Sequence, residues 1–297
     1  MDFSANPVPA HLKKHTMETL RNISELRQTI ANRRASGADV RVGLVPTMGC
    51  IHGGHLALID AARAASDYVV VSLFVNPTQF GPSEDFDGYP RDEAADARLI
   101  AQAGADLLYS PSVREMYGDN DATTVSVSQI SEGLCGARRP GHFDGVSTVV
   151  AKLFGQIRPD AAWFGEKDYQ QLLVIRRLTQ DLDLDVRVEG VATVREADGL
   201  ALSSRNAYLT ADERRIAPRL FAAITAAAEQ IAGGGQAEKC CQAAITALAT
   251  AGFSDIEYLE ARDAETLEPI NGVHSGPARV LGAVQLGKAR LIDNAPV

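Results

Sequence analysis

His52 and His55 stand three residues apart in Pro46-Thr47-Met48-Gly49-Cys50-Ile51-His52-Gly53-Gly54-His55, a glycine-rich stretch between a β-branched run and a helical pattern. A strand that ends in such a turn and feeds a helix aims backbone N–H groups and the positive end of the helix dipole at one point, where anions bind. Imidazole donors at that point would stabilise the charge that builds on phosphoryl oxygens as pyrophosphate departs. Taken alone, two histidines in a glycine-rich turn are more often a capped turn or an incidental surface pair. The pattern by itself names no substrate.

Other segments carry complementary chemistry. In Asn76-Pro77-Thr78-Gln79-Phe80, Gln79 offers a neutral donor and acceptor, suited to a hydroxy acid, although Asn-Pro is more commonly just a turn. Arg138 and Arg139 open a basic turn before a helical pattern. In Gly165-Glu166-Lys167-Asp168, Lys167 supplies a compact positive charge for phosphate and Asp168 can accept from ribose hydroxyls, while the commoner reading is a solvated helix start. Ser203-Ser204-Arg205-Asn206 sets two hydroxyls beside a guanidinium, either a phosphate clamp on a hinge or a helix N-cap. Asp96, in an acidic run, is a candidate for Mg²⁺ near phosphates, with a dipole-favoured helix start as the alternative.

The elements that must position these groups follow from periodicity. Short β-branched runs near 40–45, 68–75, 106–109, 161–164 and 185–191 alternate with helical patterns near 56–65, 92–103, 145–157 and 170–182. That alternation predicts an α/β fold, a parallel sheet flanked by helices, with ligands beyond the carboxyl ends of the strands. After 194 an alanine-rich helical region, a Gly233-Gly234-Gly235 connector, a helix near 236–251 and strands near 256–261 and 279–284 predict a smaller α+β domain. The expected division is a flexible N-terminal extension over 1–16, a first domain over 17–194 that opens with a helix-like pattern after Met17, and a C-terminal domain over 195–297.

Composition removes several function classes. A chain of 297 residues with 45% hydrophobic content can fill a large core, and a net charge of −9 argues against an extended nucleic-acid surface. The four cysteines form no C-x-x-C pair and no zinc-like spacing with histidine, which points to a reducing cytoplasm. No run approaches the roughly 20 apolar residues a membrane crossing needs.

The string PTMGCIHGGHLALI resembles the corresponding stretch of the pantothenate synthetases, a family of the nucleotidyltransferase superfamily with a His-x-Gly-His signature. VNPTQF, RPGHFDGV, FGEKDYQQ, SSRN and GKARLIDN are similar to further family segments in the same order. The resemblance implies a Rossmann-like nucleotidyltransferase domain and an ATP-dependent condensation of pantoate with β-alanine through an acyl adenylate, with Mg²⁺. It implies that His52, His55, Lys167, Ser203, Ser204 and Arg205 act on the triphosphate, and that Met48, Gly165, Asp168, Val194 and Leu202 complete the nucleotide site. Gln79 and Gln171 would hold pantoate, with Met48 lining the same pocket and Arg139 on the substrate side. A homodimer through the first domain is implied as well.

The chain departs from the family pattern at Gly53, where an acidic residue is usual, and at Leu202, where methionine is usual. The first departure is expected to change loop flexibility without loss of chemistry, the second to preserve volume. Two other readings compete: another nucleotidyltransferase of the superfamily, and a catalytically silent ATP-binding scaffold.

Overall fold

The computed structural model describes residues 17–37, 39–81, 86 and 88–297. The expected extension over 1–16 lies outside the described residues. The first half of the chain forms β1 (Glu18–Leu20), α1 (Ile23–Ala35), β2 (Val42–Thr47), α2 (Gly53–Ala65), β3 (Tyr68–Leu73), α3 (Glu93–Gln102), β4 (Leu107–Tyr109), α4 (Val113–Tyr117), α5 (Cys135–Arg138), α6 (His142–Ile157), β5 (Ala161–Gly165), α7 (Tyr169–Asp181) and β6 (Arg187–Val191). Its strands run parallel in the order β1-β4-β3-β2-β5-β6. Chain direction across the sheet reverses between β2 and β5, and such a reversal opens a crevice at the carboxyl ends of the two strands.

Helices on both faces explain why the central strands read as unbroken apolar runs. Every residue of β3 is buried. Val69, Val71 and Leu73 pack with Leu58 and Ile59 of α2 and Ile100 of α3. Tyr68 and Val70 face the other way, into the cluster that holds Val146, Val149 and Val150 of α6 and Leu172 of α7.

The helix-like pattern after Met17 begins later than expected. Glu18–Leu20 instead pairs with β4 at the sheet edge. Asn22 then caps α1 by accepting the Glu25 amide at 2.9 Å. Three residues are too few for periodicity to separate strand from helix.

The second half contains α8 (Ala211–Ile216), α9 (Arg219–Ala232), α10 (Ala237–Ala251), β7 (Asp255–Asp263), β8 (Ala278–Leu286) and β9 (Ala289–Pro296), the strands forming an antiparallel sheet in the order β7-β8-β9. Leu220, Ile224 and Ala227 of α9 pack with Ala244 and Leu248 of α10 and with Val280, Val284 and Leu291 of the sheet. Tyr258, Leu281 and Ala283, by contrast, join the core of the parallel half.

β9 has no counterpart in the expected strands, because Asp293 and Asn294 interrupt its apolar alternation. Both residues are buried, and Asn294 ties the small sheet to the parallel half. Asp293 receives Arg195 at 2.6 and 2.9 Å. Asn294 Nδ2 donates to the carbonyls of Glu166 at 2.9 Å and Lys167 at 3.0 Å. The turn that carries Lys167 is therefore held by a strand more than a hundred residues away. Among the described residues no helix is long and apolar enough to cross a membrane.

Candidate active site

A cavity of about 240 Å³ lies over the carboxyl ends of β2 and β5. It brings together Met48, His52, His55, Gln79, Gly165, Lys167, Asp168, Gln171, Val194, Leu202, Ser203, Ser204 and Arg205, which the chain scatters across more than 150 positions. Phe74, Val146, Val149, Val150 and Leu153 form an apolar wall beside them.

The two histidines cap α2 reciprocally. His52 Nδ1 accepts the Gly54 amide at 3.1 Å, and His55 Nδ1 accepts the His52 amide at 3.3 Å. These bonds use helix-end donors that would otherwise lack partners. They also settle the tautomers, because a neutral imidazole that accepts at Nδ1 carries its hydrogen on Nε2. The rings lie 4.2 Å apart, centroid to centroid. Burial, with the His52 ring alongside, pushes His55 down to about 3; burial and the nearby Lys167 also lower His52. At neutral pH the site therefore holds two uncharged Nε2–H donors at the positive end of a helix.

On the opposite side Gln79 is aligned by Asn76, which is buried. Asn76 Nδ2 donates to Gln79 Oε1 at 3.1 Å and to the Gly145 carbonyl at 3.1 Å. Its Oδ1 accepts from the Thr78 amide, the Thr78 hydroxyl and the Tyr117 hydroxyl. With its oxygen engaged, Gln79 turns its amide nitrogen toward Met48, 3.1 Å from the sulfur. Gly145 permits this fit, since a Cβ there would lie 2.4 Å from the Thr78 carbonyl oxygen. Asn76-Pro77-Thr78-Gln79 thus forms the expected turn, and Gln79 also lines the cavity.

Lys167 follows β5 and lies 3.6 Å from the Asp168 carboxylate. Burial raises the Asp168 pKa, but Lys167, Arg205 and His142 together outweigh it and leave the carboxyl below its usual range. Ser203 Oγ accepts the Arg205 amide at 3.3 Å, so the N-cap reading holds too, and Ser203 still lines the cavity. Tyr89, which sequence reasoning passed over, lines the cavity as well. Burial raises its phenol, against an opposing hydrogen bond with Ser204.

One expectation needs correction. Asp96 does not face the cavity as a metal ligand: it is buried on α3, and its two oxygens accept the amides of Cys50 at 2.9 Å and Ile51 at 2.8 Å. Its work is to hold the loop before His52, where Cys50 has a φ of +53°. Arg139 lines an adjoining cavity of about 50 Å³ instead of the main cleft. Its guanidinium bonds His142 at 2.9 Å and the Gln79 carbonyl at 3.3 Å, so it supports the glutamine from behind. Asn76 was legible in the sequence as part of VNPTQF, but a side chain that bonds both a glutamine three residues on and a helix 69 residues on leaves no spacing signature.

The family model described as pantoate-beta-alanine ligase matches residues 18–296. The pantothenate synthetase of Rhodospirillum rubrum is 55% identical over 277 residues, 93% of this chain and 98% of that one. That of Rhizorhabdus wittichii is 56% identical over 281 residues, 95% and 99% of the two chains. Among solved structures, pantothenate synthetase from Thermus thermophilus superimposes with a TM-score of 0.87 at 47% identity, over 94% of this chain and 99% of that one. Pantoate-beta-alanine ligase from Francisella tularensis, complexed with beta-gamma ATP and beta-alanine, gives 0.78 at 32% identity, over 94% and 97%.

Two expected outcomes follow from the geometry. Imidazole NMR of the free protein should show His55 as the neutral Nε2–H tautomer down to about pH 5, and an anionic triphosphate should draw its pKa upward. Because the folded value lies below the unfolded one, His55 contributes stability at neutral pH that is lost as pH falls from about 6.5 toward 3. A titration midpoint near the ordinary histidine value would contradict the assignment. Asp96→Ala should cost about 2–3 kcal/mol in urea denaturation, by loss of two charge-assisted bonds. The Mg²⁺ dependence of the residual activity should not change, and a shifted dependence would restore Asp96 as a metal ligand.

Proposed function

The chain belongs to the pantoate-beta-alanine ligase family, and from that premise we propose that this cavity condenses pantoate with β-alanine using ATP, by way of pantoyl adenylate. One observation carries the reading. A single cavity is bounded on one side by N–H donors, hydroxyls and cations fit for a triphosphate, and on the other by Gln79, Gln171 and an apolar wall fit for a hydroxy acid with geminal methyl groups.

A carboxylate repels nucleophiles, and oxide is a poor leaving group, so the acid must first be activated. A pantoate carboxylate oxygen attacks the α-phosphorus of ATP, and the bond to the bridging oxygen breaks with its electron pair leaving on pyrophosphate. His52 and His55 donate from Nε2 to the phosphoryl oxygens, while Lys167, Ser203, Ser204 and Arg205 take up the charge that develops on pyrophosphate. Leu202 and Val194 line the nucleotide side, and Asp168 is set to accept from ribose hydroxyls. Gln79, its amide nitrogen turned to the cleft by Asn76, and Gln171 hold the pantoate oxygens. The neutral amine of β-alanine then attacks the acyl carbon, forming the C–N bond, shedding a proton and releasing AMP. No protein group becomes covalently attached. Positioning alone can supply up to roughly 7–11 kcal/mol of the barrier reduction, and enclosure protects the mixed anhydride from water.

Among the described residues no cluster of three or more His, Cys, Asp or Glu side chains forms a metal cage. That fits Mg²⁺, which is usually held by substrate phosphates with one or two carboxylates. Asp168, the carboxylate that lines the cleft, would be its protein contact, and the ion would neutralise phosphate charge. Cytoplasmic residence and a homodimer through the parallel-sheet half belong to the same proposal. Sedimentation equilibrium should return the mass of two chains, and a monomer at micromolar concentration would remove the dimer from it.

The decisive assay is AMP release from Mg-ATP with pantoate and β-alanine, each also omitted singly. AMP formation should need both, and His55→Ala should lower kcat by about 10²-fold or more. ATP binding without turnover would overturn the proposal and leave the scaffold reading. Turnover with a phosphate acceptor in place of the amine would point to an adenylyltransferase.

A further inference from the structure

Gly53 is the first residue of α2, directly after His52. No turn conformation demands a glycine there, since helical backbone accepts any residue except by packing. The packing is the constraint. A Cβ at Gly53 would lie 2.9 Å from Leu202 Cδ1, so the leucine occupies the space that a side chain at 53 would need. Leu202 is fixed by its own backbone, its N–H donating to the Val194 carbonyl at 3.0 Å. Ser203, Ser204 and Arg205 follow it immediately. One apolar contact therefore sits between the two groups of phosphate-side residues, one position from His52 on α2 and one position from Ser203 on the other segment. The two positions in contact are the two at which the chain departs from the family pattern.

We propose that Leu202, seated on the bare backbone of Gly53, is a positioning residue that sets the spacing between the imidazoles of α2 and the hydroxyls and guanidinium of 203–205. It thereby sets how tightly the cleft grips a nucleoside triphosphate. The inference rests on the ATP reading of the cleft given above. A methyl group added at 53 keeps every backbone amide of the helix start, and alanine is a better helix former than glycine. It must, however, displace Leu202 Cδ1, the end of a flexible side chain, which then turns within the cleft that the leucine lines. Misplacement of about an ångström is enough to cost one to two orders of magnitude in such sites.

The test is calorimetric titration with a non-hydrolysable ATP analogue, with thermal melting alongside, on wild type, Gly53→Ala, Leu202→Ala and the double variant. Gly53→Ala should bind the analogue about tenfold more weakly at an unchanged or higher melting temperature, and Leu202→Ala about threefold more weakly. The double variant should bind more tightly than Gly53→Ala alone, within about threefold of wild type, because the second change removes the atom the first collides with. The KM for ATP should follow the same order. If Gly53→Ala lowers the melting temperature, the double variant should restore stability and binding together. Wild-type affinity in Gly53→Ala, or a double variant whose loss is the product of the two single losses, would overturn the contact's role while leaving the proposed function standing. Wild type that binds no analogue would overturn the ATP reading, and this inference with it.

Discussion

A helix cannot satisfy the N–H groups of its own first turn, and at the start of α2 the chain meets that constraint with imidazole nitrogens. His52 and His55 each use Nδ1 as an acceptor for a backbone amide, which leaves each Nε2–H free to face the cavity. Cap and tautomer are consequences of one arrangement. Burial then keeps both rings uncharged, so they act as donors without having to hold a proton against the positive end of the helix. Asp96 extends the arrangement backward by fixing the amides of Cys50 and Ile51, and so the angle at which the chain enters the helix.

The other cleft segments are held mostly by contacts of long sequence separation. Asn294 holds the Lys167 turn through two carbonyls. Arg195 and Asp293 lock the segment leading to Ser203 onto β9. The cation of Arg279 lies 3.8 Å over the ring of Tyr169, just after Asp168. Asn76 and Arg139 set Gln79 from two sides, one through its side chain and one through its backbone carbonyl. The halves of the chain thus meet through buried polar groups with satisfied bonds, which specify one arrangement more narrowly than apolar contact would.

The main strands and helices were legible because their periodicity is strong: β2 to β6 and the four long helices between them, α2, α3, α6 and α7, appear where the alternation of apolar runs placed them, within a few residues. The failures share a cause. β1 is too short to have a period, and β9 is interrupted by two buried polar residues that bond Arg195, Glu166 and Lys167, all more than ninety positions away. Asp96 looked like a metal ligand because carboxylates near phosphate sites often are; a buried carboxylate bonding two backbone amides looks the same in a linear string.

Residue types and spacings by themselves determined the α/β class, the strand-to-helix turns that border the cavity, and the resemblance to one family. Those properties are local or compositional, so a linear string carries them. Only the tertiary structure decided which polar groups face the cavity and which are spent holding it, because a carboxylate, an amide or an imidazole has the same formula in either role. It also decided that Gly53 and Leu202, 149 positions apart, share one volume, since the exclusion of two atoms from the same space exists only once the chain has folded.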